Sequence, residues 1–129
     1  MTRRQEIESI IIGTILSSHL GENYLNDCKS CITADMFSDE KNAKIYSTAL
    51  EMQKAGCETI TPTDVVEYKS DMISLAPYMC ELADDWFFEA KKAKYNSNVY
   101  YSDTTGKSKY THVTFSDYVN RFVQLVFSS

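Results

Sequence analysis

The chain has 129 residues, 43% of them hydrophobic and 12% aromatic, with a net charge of −5 and a pI near 5.0. That length suits one domain with a real core and is too short for two, and a charged fraction of 24% fits a folded soluble chain, not a disordered one. The 4 Gly and 2 Pro favour helices over a turn-rich β design, and an acidic chain repels phosphate backbones, which argues against a broad nucleic-acid-binding face and leaves only a local patch open.

No apolar run approaches the roughly 18 residues of a membrane-spanning helix, so no membrane contact is expected. Arg3 and Arg4 precede an apolar stretch, superficially like a secretory leader. Glu6 and Glu8 interrupt that stretch, its period is amphipathic, and no small-residue cleavage site follows. A cytoplasmic protein is the expectation.

The first predicted helix runs from Thr2 to Ser18. Ile7, Ile11 and Ile15 form one row at i, i+4 spacing, widened by Ile10 and Leu16. Gly13 offers a place where another helix can pack closely, and Gly21 suits the position after the helix end. Glu6 and Glu8 read as first-turn helix charges rather than as general acids. A short helix over 22–29 buries Tyr24, Leu25 and Cys28. Residues 33–37 then make a turn that inserts Met36 and Phe37 into the core. Ser38 is the expected N-cap of the next helix, with Asp39 and Glu40 in its first turn. That helix buries Ile45, Tyr46, Ala49, Leu50 and Met52, carries Lys54 in its last turn and ends at Gly56.

Thr61, Pro62 and Asp64 match a capping box with proline at the first helical position. They open a short helix carrying Val65, Val66 and Tyr68. A longer helix is expected over 73–92, with Leu75, Met79, Leu82, Ala83 and Trp86 inward and Pro77 in its first turn. Residues 96–114 are polar, β-branched and aromatic. They read either as a β-hairpin pairing Val99, Tyr100 and Tyr101 with Tyr110 to Val113, or as a long loop. Thr114 or Ser116 caps a last helix whose apolar positions are Tyr118, Val119, Phe122, Val123, Val126 and Phe127.

Candidate chemistry is sparse. Cys28 and Cys31 have zinc-knuckle or redox spacing, but Cys57 and Cys80 do not supply the second tight pair of a zinc site, and no βαβ pattern surrounds the first. Reduced, buried or half-buried helix cysteines are the expected state. Thr105 to Ser108 contain the Gly-Lys-Ser of a phosphate loop, but a Walker loop needs a glycine where this chain has Tyr101. His19 and His112 have no partner at metal or triad spacing, and His19 reads as a helix C-terminal charge. Asp84 and Asp85 read as a solvated pair. No cofactor, metal or catalytic residue is expected.

Trp86, Phe87 and Phe88 stand out. Successive helical residues point about 100° apart, so three large aromatics in a helix cannot all face one core. At least one is then exposed, covered by the 96–114 segment, or buried in a partner. Lys91, Lys92 and Lys94 beside Tyr95, Tyr100 and Tyr101 form a candidate single-strand DNA patch, with a solvated helix end as the plainer reading.

Taken in order, Glu6 to Leu16, Asp35 to Phe37, Ile45 and Tyr46, Met52 to Gly56 and Ile60 to Glu67 resemble the N-terminal domain of DnaB-type replicative helicases. Leu75 to Leu82 looks like that family's next helix, and Phe115 to Phe122 like the start of the arm toward the helicase linker. The clear match covers about half of the chain; residues 89–114 depart from the pattern, being longer and richer in tyrosine. The resemblance implies a noncatalytic domain that pairs into dimers, builds a collar on a ring and contacts primase or helicase loaders. The family's ATPase module is not in this sequence, so a fragment of a longer helicase and a stand-alone interaction protein are both open.

The reading is therefore an all-α, small orthogonal bundle of about six helices, a single domain over residues 1–129 with 96–114 as an atypical insertion. Its expected role is protein–protein interaction and self-association, as a dimer or higher, with primase or a loader as a further partner. Interface candidates are Trp86, Phe87, Phe88, Phe122 and Phe127. The alternative is a small single-stranded nucleic-acid-binding protein using Lys91, Lys92, Lys94, Tyr100 and Tyr101.

Overall fold

The computed structural model describes residues 2–17, 24–88 and 114–128, and the regular structure among them is entirely helical. In chain order, α1 spans Arg3–Leu16, α2 Leu25–Cys28, α3 Glu40–Lys54, α4 Pro62–Tyr68, α5 Ala76–Asp85 and α6 Phe115–Ser128. Two 3₁₀ turns, Ala34–Met36 and Ser70–Leu75, join α2 to α3 and α4 to α5. The expected all-α fold is the one that forms. Gly21, both histidines and the hairpin-or-loop segment 96–113 lie outside the described residues.

α1 runs through the centre. Thr2 Oγ1 accepts the Gln5 amide at 3.1 Å and Gln5 Oε1 accepts the Thr2 amide at 2.8 Å, a reciprocal capping box that starts the helix. From Ile7 to Leu16 every residue is buried. A helix buried all round needs neighbours on every side, and α3, α5 and α6 supply them.

The closest of these contacts is at Gly13. A Cβ added there would lie 2.3 Å from the Leu82 carbonyl oxygen and 3.1 Å from the Trp86 carbonyl carbon. The backbone of α5 thus rests on the backbone of α1, as the glycine led one to expect. Two hydroxyls stitch the same seam. Thr14 Oγ1 donates to the Ile10 carbonyl at 2.6 Å and accepts the Phe88 amide at 2.7 Å. Ser17 Oγ lies 2.8 Å from both the Gly13 and the Ala83 carbonyl oxygens.

The N-cap of α3 is Asp39, not Ser38: its carboxylate accepts the Lys41 amide at 2.8 Å. Ser38 is drawn instead to a buried partner on α1. At the other end Gly56 adopts φ +89°, the Gly56 amide reaches Gln53 O at 3.1 Å and the Cys57 amide reaches Met52 O at 3.0 Å. This is a Schellman ending, the left-handed step that glycine takes at least cost. Ile45, Tyr46, Ala49 and Met52 are buried as expected, while Leu50 is half-buried. Before α3, Phe37 enters the core and Met36 reaches it only partly.

The Thr61 capping box forms with Asp64 as its third residue and Pro62 at the helix start. Burial raises the Asp64 carboxyl, but hydrogen bonds from Thr59 and from the Thr61 backbone and hydroxyl outweigh it and hold the group below the usual carboxylate range. The following helix differs from expectation. Residues 70–75 wind as a 3₁₀ turn, and α5 proper is short, starting at Ala76 and ending at Asp85. Pro77 explains the start: its ring and missing N–H bar an α-helix running through from Ile73. At the end, Asp84 and Asp85 put negative charge where the helix dipole is already negative, with no basic residue in the last turn.

α6 opens with a third reciprocal cap: Asp117 Oδ2 accepts the Thr114 amide at 2.8 Å and Thr114 Oγ1 accepts the Asp117 amide at 3.3 Å. Phe115, Tyr118, Val119 and Phe122 face inward against α1 and α2.

Gly13→Ala measures the α1–α5 approach. In an exposed helix that change gains about 1 kcal/mol. Here the methyl group meets a backbone carbonyl that has no rotamer to escape through. Urea unfolding is expected to show a net loss of about 1–3 kcal/mol.

Candidate interaction surfaces and a buried polar network

The chemically densest place in the domain surrounds Glu8, which is fully buried. Its two oxygens are met from three segments. Oε2 accepts the Ser38 amide at 3.0 Å and the Ser38 hydroxyl at 2.5 Å. Oε1 accepts Asn42 Nδ2 at 3.3 Å, with the Asp39 amide at 3.5 Å. These amides open α3, so the carboxylate also sits at the positive end of that helix. Arg4 Nε lies 3.6 Å from Oε2, an ion pair longer than a hydrogen bond, and Arg4 Nη2 donates to the Met36 carbonyl at 2.6 Å. Asn42 Oδ1 in turn accepts the Tyr78 hydroxyl at 2.6 Å. One carboxylate therefore joins α1 to the 3₁₀ turn, to the start of α3 and, through Asn42, to α5.

Glu8 is thus no first-turn surface charge, as its position near the N-terminus suggested. The signal was present: Ile11, Ile12 and Ile15 share its helix face at three, four and seven residues' distance, and an acid among isoleucines must be paired or pay heavily for burial. With its lone pairs engaged by donors, Glu8 is a structural anchor, not a free base.

The aromatic interface candidates divide. Phe88 and Phe122 are buried in this chain's own core, 4% and 0% exposed. Phe122 stacks on Phe37 with centroids 5.1 Å apart, and Phe37 meets Tyr46 at 5.0 Å. Phe88 lies edge-on to Tyr118 at 5.5 Å and to Phe115 at 6.3 Å. The three consecutive aromatics escape the geometric conflict because they are not three helical residues. α5 caps at Trp86, and the Thr14 hydroxyl captures the Phe88 amide, turning its ring inward. Trp86 and Phe87 are half-buried, and Phe127, near the end of α6, is 72% exposed. Sequence reasoning did not single out Ile73, 61% exposed, or Tyr68, 44% exposed. Ile73 also lines an open cleft of about 250 Å³ with Pro62, Val66, Ala76 and Cys80. Lys91, Lys92, Lys94, Tyr100 and Tyr101 lie outside the described residues.

The cysteines do not behave as one class. Cys28 is buried, and burial, with Cys31 and Asp27 adding, pushes its thiol well above the usual range. Cys57 is half-buried, whereas Cys31 and Cys80 are exposed, contrary to the expectation of burial. Among the described residues no group of three or more His, Cys, Asp or Glu side chains could hold a metal ion. Nor is any described helix long and apolar enough to cross a membrane.

A central buried helix, short capped helices around it and a few large apolar side chains left at the surface define an all-α domain. The DnaB-like helicase N terminal domain model matches residues 1–100, and the chain belongs to that family. No curated protein and no solved structure matches it.

Glu8→Ala removes the common acceptor of α1 and α3 and leaves Ser38 and Asn42 donors unpaired. Chemical denaturation is expected to register a loss of about 3–5 kcal/mol, the scale for breaking one partner of a buried charged cluster; Glu8→Gln, which keeps one carbonyl acceptor, should lose less.

Proposed function

We propose that this chain acts in DNA replication as a noncatalytic domain that self-associates and docks primase or a helicase loader. The observation that carries the reading is the exposure of large apolar side chains, Phe127, Ile73 and Tyr68, on a domain whose core is otherwise closed. Apolar surface of this kind gains by being covered. Membership of the DnaB-like N-terminal family supports a role beside a helicase motor and not as one.

Phe127 is the most exposed of the three and sits where α6 carries its half-buried Val123, Leu125 and Val126. Its contacts are proposed to come from a second copy of the chain, with Trp86 and Phe87 as further contributors. Phe88 and Phe122, buried against Tyr118 and Phe37, hold α6 to the core and are not themselves at that surface.

Light scattering coupled to size exclusion tests this. The wild-type chain is expected to run as a dimer or larger species, and Phe127→Asp should shift it toward monomer while leaving the helical circular dichroism intact. A wild-type chain that stays monomeric at the highest soluble concentration would count against self-association.

A further inference from the structure

A pocket of about 300 Å³ opens where α1, the start of α3 and α5 meet. Asp39 and Asn42 line it from α3, Tyr78 and Glu81 from α5, and Trp86 from the end of α5; Ser9 lines it from α1. It lies on the outer side of the Glu8 network, sharing Asn42 and Tyr78 with it.

Its charge is one-sided. Asp39 and Glu81 are both acidic, and no basic side chain belongs to the lining. Asp39 uses Oδ1 to cap α3, and Oδ2 has no partner among the described residues. Burial first, then the carboxylates of Asp39, Glu8 and Glu81, push the Tyr78 phenol up to about 12 against the opposing hydrogen bond to Asn42. Lys41 Nζ, which is not in the lining, sits 4.3 Å from the centre of the same ring.

A second observation is independent of charge. Ser9 is only 5% exposed and faces this pocket, yet its hydroxyl has no hydrogen-bond partner among the described residues. The other buried hydroxyls of α1 and α3 behave differently: Thr14 and Thr48 each bond back to the carbonyl four residues earlier. A hydroxyl on a nearly buried side chain that opens toward a cavity is free to accept from a donor placed there.

We propose that this pocket binds a guanidinium group. That group is planar, remains charged throughout the physiological pH range, and presents five donors in a fixed fork. Two carboxylates and a hydroxyl converge on one volume that matches it, and its weak hydration suits a wall that includes indole and phenol rings. The source is either an arginine side chain of a protein partner or a small guanidino compound. The pocket shares Trp86 with the surface proposed for self-association, but Phe127→Asp alters that surface alone and Asp39→Asn/Glu81→Gln the pocket alone, so either reading can fail without the other.

Trp86 is the only tryptophan of the chain, so its fluorescence reports on the pocket. The full chain is titrated with agmatine and with an acetylated Gly-Arg-Gly amide, using the citrulline peptide as the uncharged isostere. The two guanidino probes should give a saturable change that weakens with salt, and the citrulline peptide should give none. A response to the peptide alone supports the site and assigns it to a protein arginine; a response to both at equal affinity supports it and shows that a small molecule suffices. In Asp39→Asn/Glu81→Gln, which keeps an N-cap residue of equal rank and changes an exposed side chain, affinity should fall about tenfold or more, as for two lost charge-assisted contacts. Absence of a saturable change with both guanidino probes, equal binding of citrulline, or unchanged affinity in the double variant would overturn the proposal.

Discussion

α1 has no solvent face from Ile7 to Leu16, and this constraint organises the rest of the domain. A helix of that kind cannot be stable alone; it gains its stability by burial against neighbours. Two different contacts fix where those neighbours go. At Gly13 the backbones of α1 and α5 touch, a distance that only a missing side chain allows. At Glu8 a carboxylate gathers donors from the start of α3 and, through Asn42, reaches the Tyr78 hydroxyl of α5. The first contact is steric and the second electrostatic. Together they hold α3 and α5 against the same helix, and the pocket beside Ser9 and Asp39 lies where the three meet.

The aromatic residues complete this arrangement. Phe37, Tyr46 and Phe122 form one run of ring contacts, and Phe88, Phe115, Tyr118 and Tyr24 form another. Both runs attach α6 to elements distant in sequence. The cost is that Phe88 and Phe122 are committed to the fold. The large apolar side chains left exposed lie at the margins: Phe127 at the end of α6, and Ile73 in the 3₁₀ turn before α5. In this domain of the DnaB-like N-terminal family the aromatic residues that build the core are thus distinct from the large apolar residues that stay exposed.

Much of this was legible in the sequence where local chemistry decides. The Thr61–Asp64 cap, the glycine ending at Gly56 and the close approach at Gly13 all follow from short patterns with strong steric or hydrogen-bonding causes. The misreadings share a different origin, in contacts between residues far apart in the chain. Ser38 is a good N-cap by type, but Glu8, 30 positions away, takes its hydroxyl and amide, and Asp39 caps instead. The helix expected over 73–92 stops at Asp85, and Thr14, 74 positions before Phe88, binds the Phe88 amide just beyond that end. The Ser9 pocket carries no sequence signature, since its carboxylates and hydroxyl come from three separate helices.

The claim that α1 is the element on which the others depend is tested most directly by native-state hydrogen exchange on the amides of Ile10 to Leu16. If every neighbour must leave before α1 can open, these amides exchange only through global unfolding, with a free energy equal to that from urea denaturation. Exchange at a free energy below that of the α4 amides would mean that α1 opens on its own, and would contradict the account.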